Sequence, residues 1–182
     1  MHSLDRQAEQ LARAGIAETP EPDLSWMSAD ISRFGLEGDF VLLAPGGAVH
    51  RPAKRWGADS YGTLAQDLAE KGLTPVLLGE RDDAHVMATI ETACPQARNL
   101  CGETELEDIA ALARGARGAA GNDTGPMHVI AACGCPSLVL FSGDSDPALC
   151  APRGAGVHIL RRDPLAGLGM EEVASSLRLR QP

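Results

Sequence analysis

Short apolar runs alternate with helical segments along most of this chain, and that alternation limits the fold more than any other feature. Five runs of apolar or small residues have the length and composition of buried strands, at residues 40–44, 74–78, 118–121, 137–141 and 157–160. Helical patterns lie between or after them, at residues 58–71, 82–93, 105–113, 126–133 and 170–179. Because right-handed crossovers put helices on both faces of a parallel sheet, the alternation predicts a doubly wound α/β fold.

The first 38 residues do not follow this alternation and form a separate lead-in. Residues 4–14 have a short amphipathic pattern that Gly15 ends, and residues 28–34 predict a second short helix. Between them, Pro20 and Pro22 lie in a stretch without periodicity, which is typical of a connector. We therefore expect residues 1–38 to be lead-in helices and an interdomain connector, and residues 39–182 to be the organised domain.

Charge and cysteine content exclude several classes of protein. The chain has 16 Lys and Arg against 25 Asp and Glu, which gives a formal net charge of −9. Because nucleic-acid binding needs clustered cations, we expect no nucleic-acid partner. Its five cysteines are odd in number and scattered, and no zinc ligand set closes around them, so we expect reduced thiols and no bound metal. No apolar run reaches the roughly 20 residues of a membrane span and the N-terminus lacks a secretory core, so we expect a cytoplasmic protein.

Ligands of doubly wound sheets bind beyond the carboxyl ends of the strands, so the loops that follow the strands are the candidate site. The loop after the first strand has a Gly-Gly pair that begins at Gly46, where backbone N–H groups can approach an anion. Lys54 and either Arg51 or Arg55 could bind phosphate oxygens there. A solvated basic loop that covers Trp56 explains the same residues equally well.

The strongest signal is the segment that ends one strand and opens a helix, Gly121-Asn122-Asp123-Thr124-Gly125-Pro126-Met127-His128. Free N–H groups and the helix dipole make an anion seat at such a point. Gly125 permits an unusual backbone angle, and Pro126 suits the first helical position. The alternative is a capped helix start, in which Asp123 or Thr124 accepts backbone N–H bonds. His128 either faces the seat or packs as a buried neutral histidine, which is the commoner case.

The loop Gly79-Glu80-Arg81-Asp82-Asp83 follows the second strand and contains the neighbouring carboxylates Asp82 and Asp83. Rossmann-type folds have an acceptor for ribose hydroxyls at this place. Capping of the next helix by either side chain accounts for the pair equally well, so the sequence leaves both roles open.

The Asp-Thr-Gly-Pro-x-His element that begins at Asp123 is accompanied by four other segments, namely Pro45-Gly46, Lys54-Arg55-Trp56, Leu77-Leu78-Gly79 and Asn99-Leu100-Cys101-Gly102. In this order and at these separations they resemble glycosyltransferase family 9, which contains the ADP-heptose:lipopolysaccharide heptosyltransferases. The resemblance covers residues 39–152, and residues 4–36 are similar to the segment that joins the two halves of such enzymes. The chain departs from the family at residues 141–147, where one extra residue interrupts the pattern Phe-Gly-x-Thr-x-Pro in a loop near the donor.

The resemblance implies the C-terminal, Rossmann-like half of a GT-B glycosyltransferase, which binds a nucleotide-sugar with ADP-heptose as the expected donor. The acceptor, the lipopolysaccharide core or another glycan, would bind the N-terminal half, which this chain lacks. Transfer in the family is inverting and uses neither metal nor cofactor, so positive charge and a helix dipole must stabilise the leaving diphosphate. The general base is an acidic residue of the missing half, and no residue here is assigned as catalytic. The family's role is compatible with peripheral association with the inner membrane.

The resemblance gives donor-binding roles to nine residues, namely Gly46, Lys54, Asp82, Asp83, Thr104, Asp123, Thr124, Gly125 and His128. Lys54 and the helix start at Thr124 and Gly125 would meet the diphosphate, and Asp123 would hold sugar hydroxyls with His128 beside it. One of the two carboxylates after the second strand would take the ribose, and the loop 101–106, with Thr104, would flank the base.

Two other functions fit the same sequence. One is a stand-alone nucleotide-binding or regulatory module without transferase activity. The other is a GT-B relative, such as an epimerase-like enzyme, that acts on a UDP-sugar. Titration with ADP, UDP and GDP would separate the last from the heptosyltransferase interpretation.

Overall fold

Six parallel strands form one sheet in the computed structural model, which describes residues 1–47 and 51–181. The strands are β1 (Phe40–Ala44), β2 (Thr74–Leu77), β3 (Arg98–Asn99), β4 (Gly118–Asn122), β5 (Ser137–Phe141) and β6 (Val157–Arg161). Their order across the sheet is β3-β2-β1-β4-β5-β6. The predicted α/β fold with a doubly wound parallel sheet is confirmed. Residues 48–50, which follow the Gly-Gly pair in the predicted glycine loop, lie outside the described residues.

Seven helices connect or flank the strands within these residues: α1 (Ser3–Arg13), α2 (Ala58–Glu70), α3 (Ala84–Ala93), α4 (Leu106–Gly115), α5 (Gly125–Ala132), α6 (Pro147–Cys150) and α7 (Met170–Ser176). Short 3-10 turns lie at Ser32–Phe34, Pro52–Lys54, Arg81–Asp83 and Leu165–Gly167. The helical patterns of the sequence correspond to α1 to α5 and α7, with ends that differ by a few residues.

Two apolar cores lie on opposite faces of the sheet, because successive residues of a strand point to opposite sides. In β1, Val41 and Leu43 pack into the core that α2, α3 and α7 cover. Leu42 and Ala44 pack into the other core, which α4 and α5 cover. All of β1, β4 and β5 is buried, and this double burial explains why these strands are continuous apolar or small-residue runs without polar alternation.

The order of the strands creates a switch point between β1 and β4. From β1 the chain builds outward to β2 and β3, and it then returns to add β4, β5 and β6 on the other side. The loops after β1 and β4 therefore diverge and leave a crevice at the carboxyl edge. Since Ala44 is paired with Gly121, the glycine loop at Gly46 and the start of α5 lie side by side.

The structure corrects the lead-in and adds two elements. The helix predicted at residues 28–34 is wrong, and only the 3-10 turn Ser32–Phe34 forms. The Asp30 carboxylate accepts the Ser32 N–H at 2.9 Å, which favours a local turn, and Gly35 ends it in the left-handed region at φ 60°. The helix α7 ends three residues before the predicted position. Neither the two-residue strand β3 nor the single turn α6 was predicted.

Candidate functional site

A cleft of about 820 Å³ lies at the carboxyl edge of the sheet, at the switch point. Three loops form its polar walls: Gly46 and Gly47 after β1, the stretch from Gly79 to Asp83 after β2, and Asp123 to Gly125 after β4. Apolar side chains of α4 and α5, together with Thr104, form the remaining wall. The three loops chosen from the sequence therefore meet in one cavity.

Asp123 is the centre of a compact polar cluster at this cleft. Its Oδ2 accepts hydrogen bonds from Lys54 Nζ at 2.6 Å and from Ser145 Oγ at 2.7 Å. The ion pair is largely shielded from water, with 15% of the Lys54 side chain and 9% of the Asp123 side chain exposed. Lys54 contacts the site through Asp123, because it is not itself one of the residues that line the cleft. The structure thus joins two predicted site residues and adds Ser145.

The start of α5 has free hydrogen-bonding groups. Thr124 is its N-cap residue, but no side chain caps the helix, so the capped alternative does not hold. The Oγ1 atom of Thr124 is buried and has no partner among the described residues. Gly125 is the first helical residue and Pro126 the second. Gly125 does not use the unusual backbone angle that a glycine permits, because its φ is not in the left-handed region.

His128 does not pack as a buried residue, since its side chain is exposed. It also does not line the cleft, although it is close enough to Asp123 for the two groups to interact electrostatically. The protein displaces part of the water around the imidazole, which lowers the pKa of His128, while the Asp123 carboxylate opposes that shift. His128 is therefore mainly neutral near pH 7 and is beside the cluster rather than in it.

The two carboxylates after β2 have different environments. Asp83 is buried, pairs with Arg55 at 3.2 Å, and accepts the backbone N–H of Glu80. Helix capping is therefore the better description of Asp83, although it also lines the cleft and its Oδ1 makes no hydrogen bond among the described residues. Asp82 is exposed and lines the cleft, as does Glu80, the first carboxylate of the same loop, to which the sequence analysis gave no role of its own.

Close packing explains the glycine at position 46. A Cβ atom there would lie 2.3 Å from Oδ2 of Asp83, so only glycine lets the loops after β1 and β2 approach each other. Arg55 strengthens this contact, because its guanidinium donates to the Gly47 carbonyl and also pairs with Asp83. Arg55 therefore joins two walls of the cleft.

Asn122, at the end of β4, is the polar residue that the sequence analysis left without a role. It is fully buried and makes four hydrogen bonds. Its Oδ1 accepts from the Trp56 backbone N–H at 3.0 Å and from the Tyr61 hydroxyl at 3.2 Å. Its Nδ2 donates to the carbonyls of Pro45 at 2.7 Å and Gly46 at 3.2 Å. Asn122 thus ties the glycine loop to the neighbouring strand.

A doubly wound sheet with a glycine loop and an uncapped helix start at its switch point belongs to the class of Rossmann-like ligand-binding domains. The family model described as glycosyltransferase family 9 (heptosyltransferase) matches residues 2–171. The chain therefore belongs to glycosyltransferase family 9.

Individual relatives agree with this assignment. Lipopolysaccharide heptosyltransferase 2 of Salmonella typhimurium is 33% identical over 149 residues, which are 79% of this chain and 42% of the relative. The solved structure of Escherichia coli ADP-heptose LPS heptosyltransferase II matches with a TM-score of 0.74 at 27% identity, over 87% of this chain and 51% of that one. A family 9 glycosyl transferase from Veillonella parvula shares the fold, with a TM-score of 0.82 at 22% identity. The chain spans about half or less of the length of the first two proteins.

All five cysteines lie in the described part of the chain, residues 1–47 and 51–181, and all are free thiols. No group of three or more His, Cys, Asp or Glu side chains in that part could hold a metal ion. No helix there is long and apolar enough to cross a membrane.

Proposed function

We propose that this chain is the donor-binding half of an inverting, metal-independent GT-B glycosyltransferase of lipopolysaccharide core biosynthesis. Residues 1–38 are the connector and residues 39–182 bind the nucleotide-sugar, with ADP-heptose as the donor. The acceptor binds a second half of the enzyme, and the reaction takes place in the cytoplasm. Family membership and the similarity to an enzyme whose name includes ADP-heptose support this assignment.

The observation that carries the proposal is the polar arrangement at the switch point. An uncapped helix start and a glycine loop line one cleft, and Lys54 is paired with Asp123 at its edge; all three are groups that bind a diphosphate. The N–H groups at Thr124 and Gly125 and the Lys54 ammonium take the diphosphate. Asp123 accepts sugar hydroxyls through Oδ1, since Lys54 and Ser145 both occupy Oδ2.

The proposal assigns the ribose and the base to other residues of the cleft. Asp82 accepts a ribose hydroxyl, because its neighbour Asp83 is held by Arg55. The base lies against the wall that includes Thr104 and the apolar side chains of α4. His128 belongs to the proposed donor site and lies beside the sugar, because its imidazole interacts electrostatically with Asp123.

In the transfer step, the acceptor oxygen attacks the anomeric carbon of the sugar from the face opposite the diphosphate. The bond between that carbon and the diphosphate oxygen breaks, and the electron pair leaves with the diphosphate. Lys54 and the dipole of α5 stabilise the charge that develops there, and this replaces a metal ion. The acceptor proton passes to a base of the other half, because our proposal assigns Asp123 to hydroxyls of the donor sugar rather than to the acceptor.

Calorimetric titration of the purified chain with ADP, UDP and GDP, in buffer with EDTA, tests the donor assignment. We expect ADP to bind more tightly than UDP or GDP and to lose no affinity in EDTA. We also expect ADP-heptose to bind more tightly than ADP, because only the sugar reaches Asp123. Preference for UDP, or a requirement for a divalent cation, would overturn the proposal.

A further inference from the structure

The buried amide of Asn122 has every hydrogen-bonding position filled. A carboxamide offers two acceptor positions and two donors, and Asn122 uses all four within the protein. Its orientation is determined by the partners, because the Trp56 N–H can only donate and the Pro45 carbonyl can only accept. The fully buried Asn122 side chain, at the end of β4, therefore fixes one orientation of the glycine loop that follows β1.

This orientation determines the directions of the loop's N–H groups. In a trans peptide the C=O and N–H bonds point in opposite directions. The carbonyls of Pro45 and Gly46 point at Asn122, so the N–H groups of Gly46 and Gly47 point away from it. Within the described residues, neither N–H has a hydrogen-bond acceptor. The next carbonyl, that of Gly47, is held by Arg55, so no carbonyl of the three turns toward the cleft.

We infer that Asn122 is a positioning residue that turns the Gly46 and Gly47 N–H groups toward the donor diphosphate. The diphosphate then lies between two sets of backbone donors, the glycine loop on one side and the start of α5 on the other. The carbonyls of Pro45, Gly46 and Gly47 point away from the diphosphate in this arrangement, which favours binding because carbonyl oxygens repel an anion. The inference rests on the proposed function, because it takes the diphosphate as the ligand.

The test uses the whole chain labelled with ¹⁵N-glycine and titrated with ADP. We expect the amide resonances of Gly46 and Gly47 to shift downfield on saturation, as N–H groups do when they donate to phosphate oxygens, together with that of Gly125. Shifts at Gly125 without shifts at Gly46 and Gly47 would overturn the role of Asn122 and leave the donor site intact. The absence of any shift at the three glycines would overturn both proposals.

Two substitutions extend the test to affinity. Asn122→Asp keeps the acceptor for Trp56 and Tyr61 but replaces the donor group with an oxygen that repels the two carbonyls. We expect it to weaken ADP binding by roughly tenfold or more, the scale of losing well-directed hydrogen bonds to a charged ligand. Tyr61→Phe is the matched control, because it removes one Asn122 bond and leaves the glycine loop attached, so its affinity stays within about twofold. Equal ADP affinity for folded Asn122→Asp would contradict the inference, and the wild-type spectra decide the matter if that variant does not fold.

Discussion

At the residue scale, the two carboxylate oxygens of Asp123 have different roles. Oδ2 accepts hydrogen bonds from both Lys54 and Ser145, whereas Oδ1 has no protein donor among the described residues. A carboxylate oriented in this way can accept a ligand hydroxyl without first losing a bond. In the proposed site the cluster therefore has two parts, a cation for the diphosphate and an oriented acceptor for the sugar.

Ser145→Ala should separate these two parts. We expect it to weaken binding of the nucleotide-sugar while ADP affinity stays the same, because Ser145 orients Asp123 and does not touch the nucleotide. The loss should be about 0.5–1.5 kcal/mol, the net value of one hydrogen bond. Ser145→Thr keeps the hydroxyl and should restore binding. Calorimetry with ADP and ADP-heptose measures both affinities, and an equal loss for both ligands would argue for a general structural role.

Lys54→Gln tests the cation directly. Glutamine can still donate a hydrogen bond to Asp123, so the fold keeps that contact while the positive charge is removed. We expect ADP binding to weaken by roughly 1.5–3 kcal/mol, the scale of a hydrogen bond to a charged group. Lys71→Ala is the control, since Lys71 forms an exposed pair with Asp67 far along α2 from the cleft. Unchanged ADP affinity in Lys54→Gln would support the solvated-loop interpretation instead.

Cys135 provides a prediction about thiol reactivity. Burial raises the pKa of Cys135 to about 11, so only about one thiol in a thousand is ionised at pH 8. The side chain is also inaccessible, whereas Cys150 is partly exposed. We expect iodoacetamide at pH 8 to modify Cys150 well before Cys135 in the native protein. Peptide mass spectrometry over a time course measures the order, and early loss of Cys135 would show that the packing around it is looser than described.

At the scale of elements, two glycines at the β4–α5 junction should respond differently to an added methyl group. In Gly121→Ala the new Cβ would lie 2.6 Å from the Met127 sulfur and 2.8 Å from the Ala44 Cβ. Overpacking of this kind costs about 1–3 kcal/mol, so the Tm should fall. In Gly125→Ala no protein atom lies within 4 Å of the new Cβ, so the Tm should be unchanged or slightly raised.

Gly125→Ala also tests whether the diphosphate binds at the start of α5. A methyl group at Gly125 projects into the space beside the helix start, where we propose that the diphosphate lies. Gly125→Ala should therefore lose roughly tenfold in ADP affinity, about 1.4 kcal/mol, while it remains fully folded. Thermal denaturation and calorimetry on both variants distinguish the two effects. Full ADP affinity in Gly125→Ala would mean that the diphosphate does not approach this backbone.

The central strands were predictable because burial on both faces leaves little choice of residue. Strands β1 and β5 have the predicted bounds, and β4 extends the prediction by one residue. The polar strand β3 has only two residues and lies at the edge of the sheet, so no apolar run marks it. The predicted helix at residues 28–34 failed because the Asp30 carboxylate accepts the Ser32 N–H, and such a local hydrogen bond competes with helix formation.

The candidate site was predictable as a set of loops but not as a set of contacts. Parallel strands end at one edge, which is why seven of the nine predicted residues line one cleft. Which partner each side chain takes depends on the order of the strands, which the sequence pattern does not contain. The bonds of Asn122 to the loop after β1 and of Asp83 to Arg55 both cross between strands, and neither could be read from spacing.

At the scale of the whole molecule, we predict that this chain binds nucleotide but does not glycosylate an acceptor by itself. Attack on the sugar needs an acceptor held in line and a base within hydrogen-bond reach, and our assignment gives both to the other half. Incubation with ADP-heptose and a truncated lipopolysaccharide acceptor, with mass spectrometry of the acceptor, tests this. A full-length family 9 heptosyltransferase serves as the positive control. Sustained glycosylation by this chain alone would refute the two-half assignment.

The Lys54–Asp123 pair also has a consequence for turnover. If Lys54 moves toward an incoming diphosphate, the shielded Asp123 carboxylate loses a cation, and sugar hydroxyls can compensate for that loss only while the sugar is attached. Binding of the nucleotide and binding of the sugar would then be thermodynamically coupled through the Lys54 side chain. After the sugar has been transferred, the remaining ADP would hold the lysine against the competing carboxylate. The same ion pair that helps to select the intact donor would thus promote the departure of the spent nucleotide.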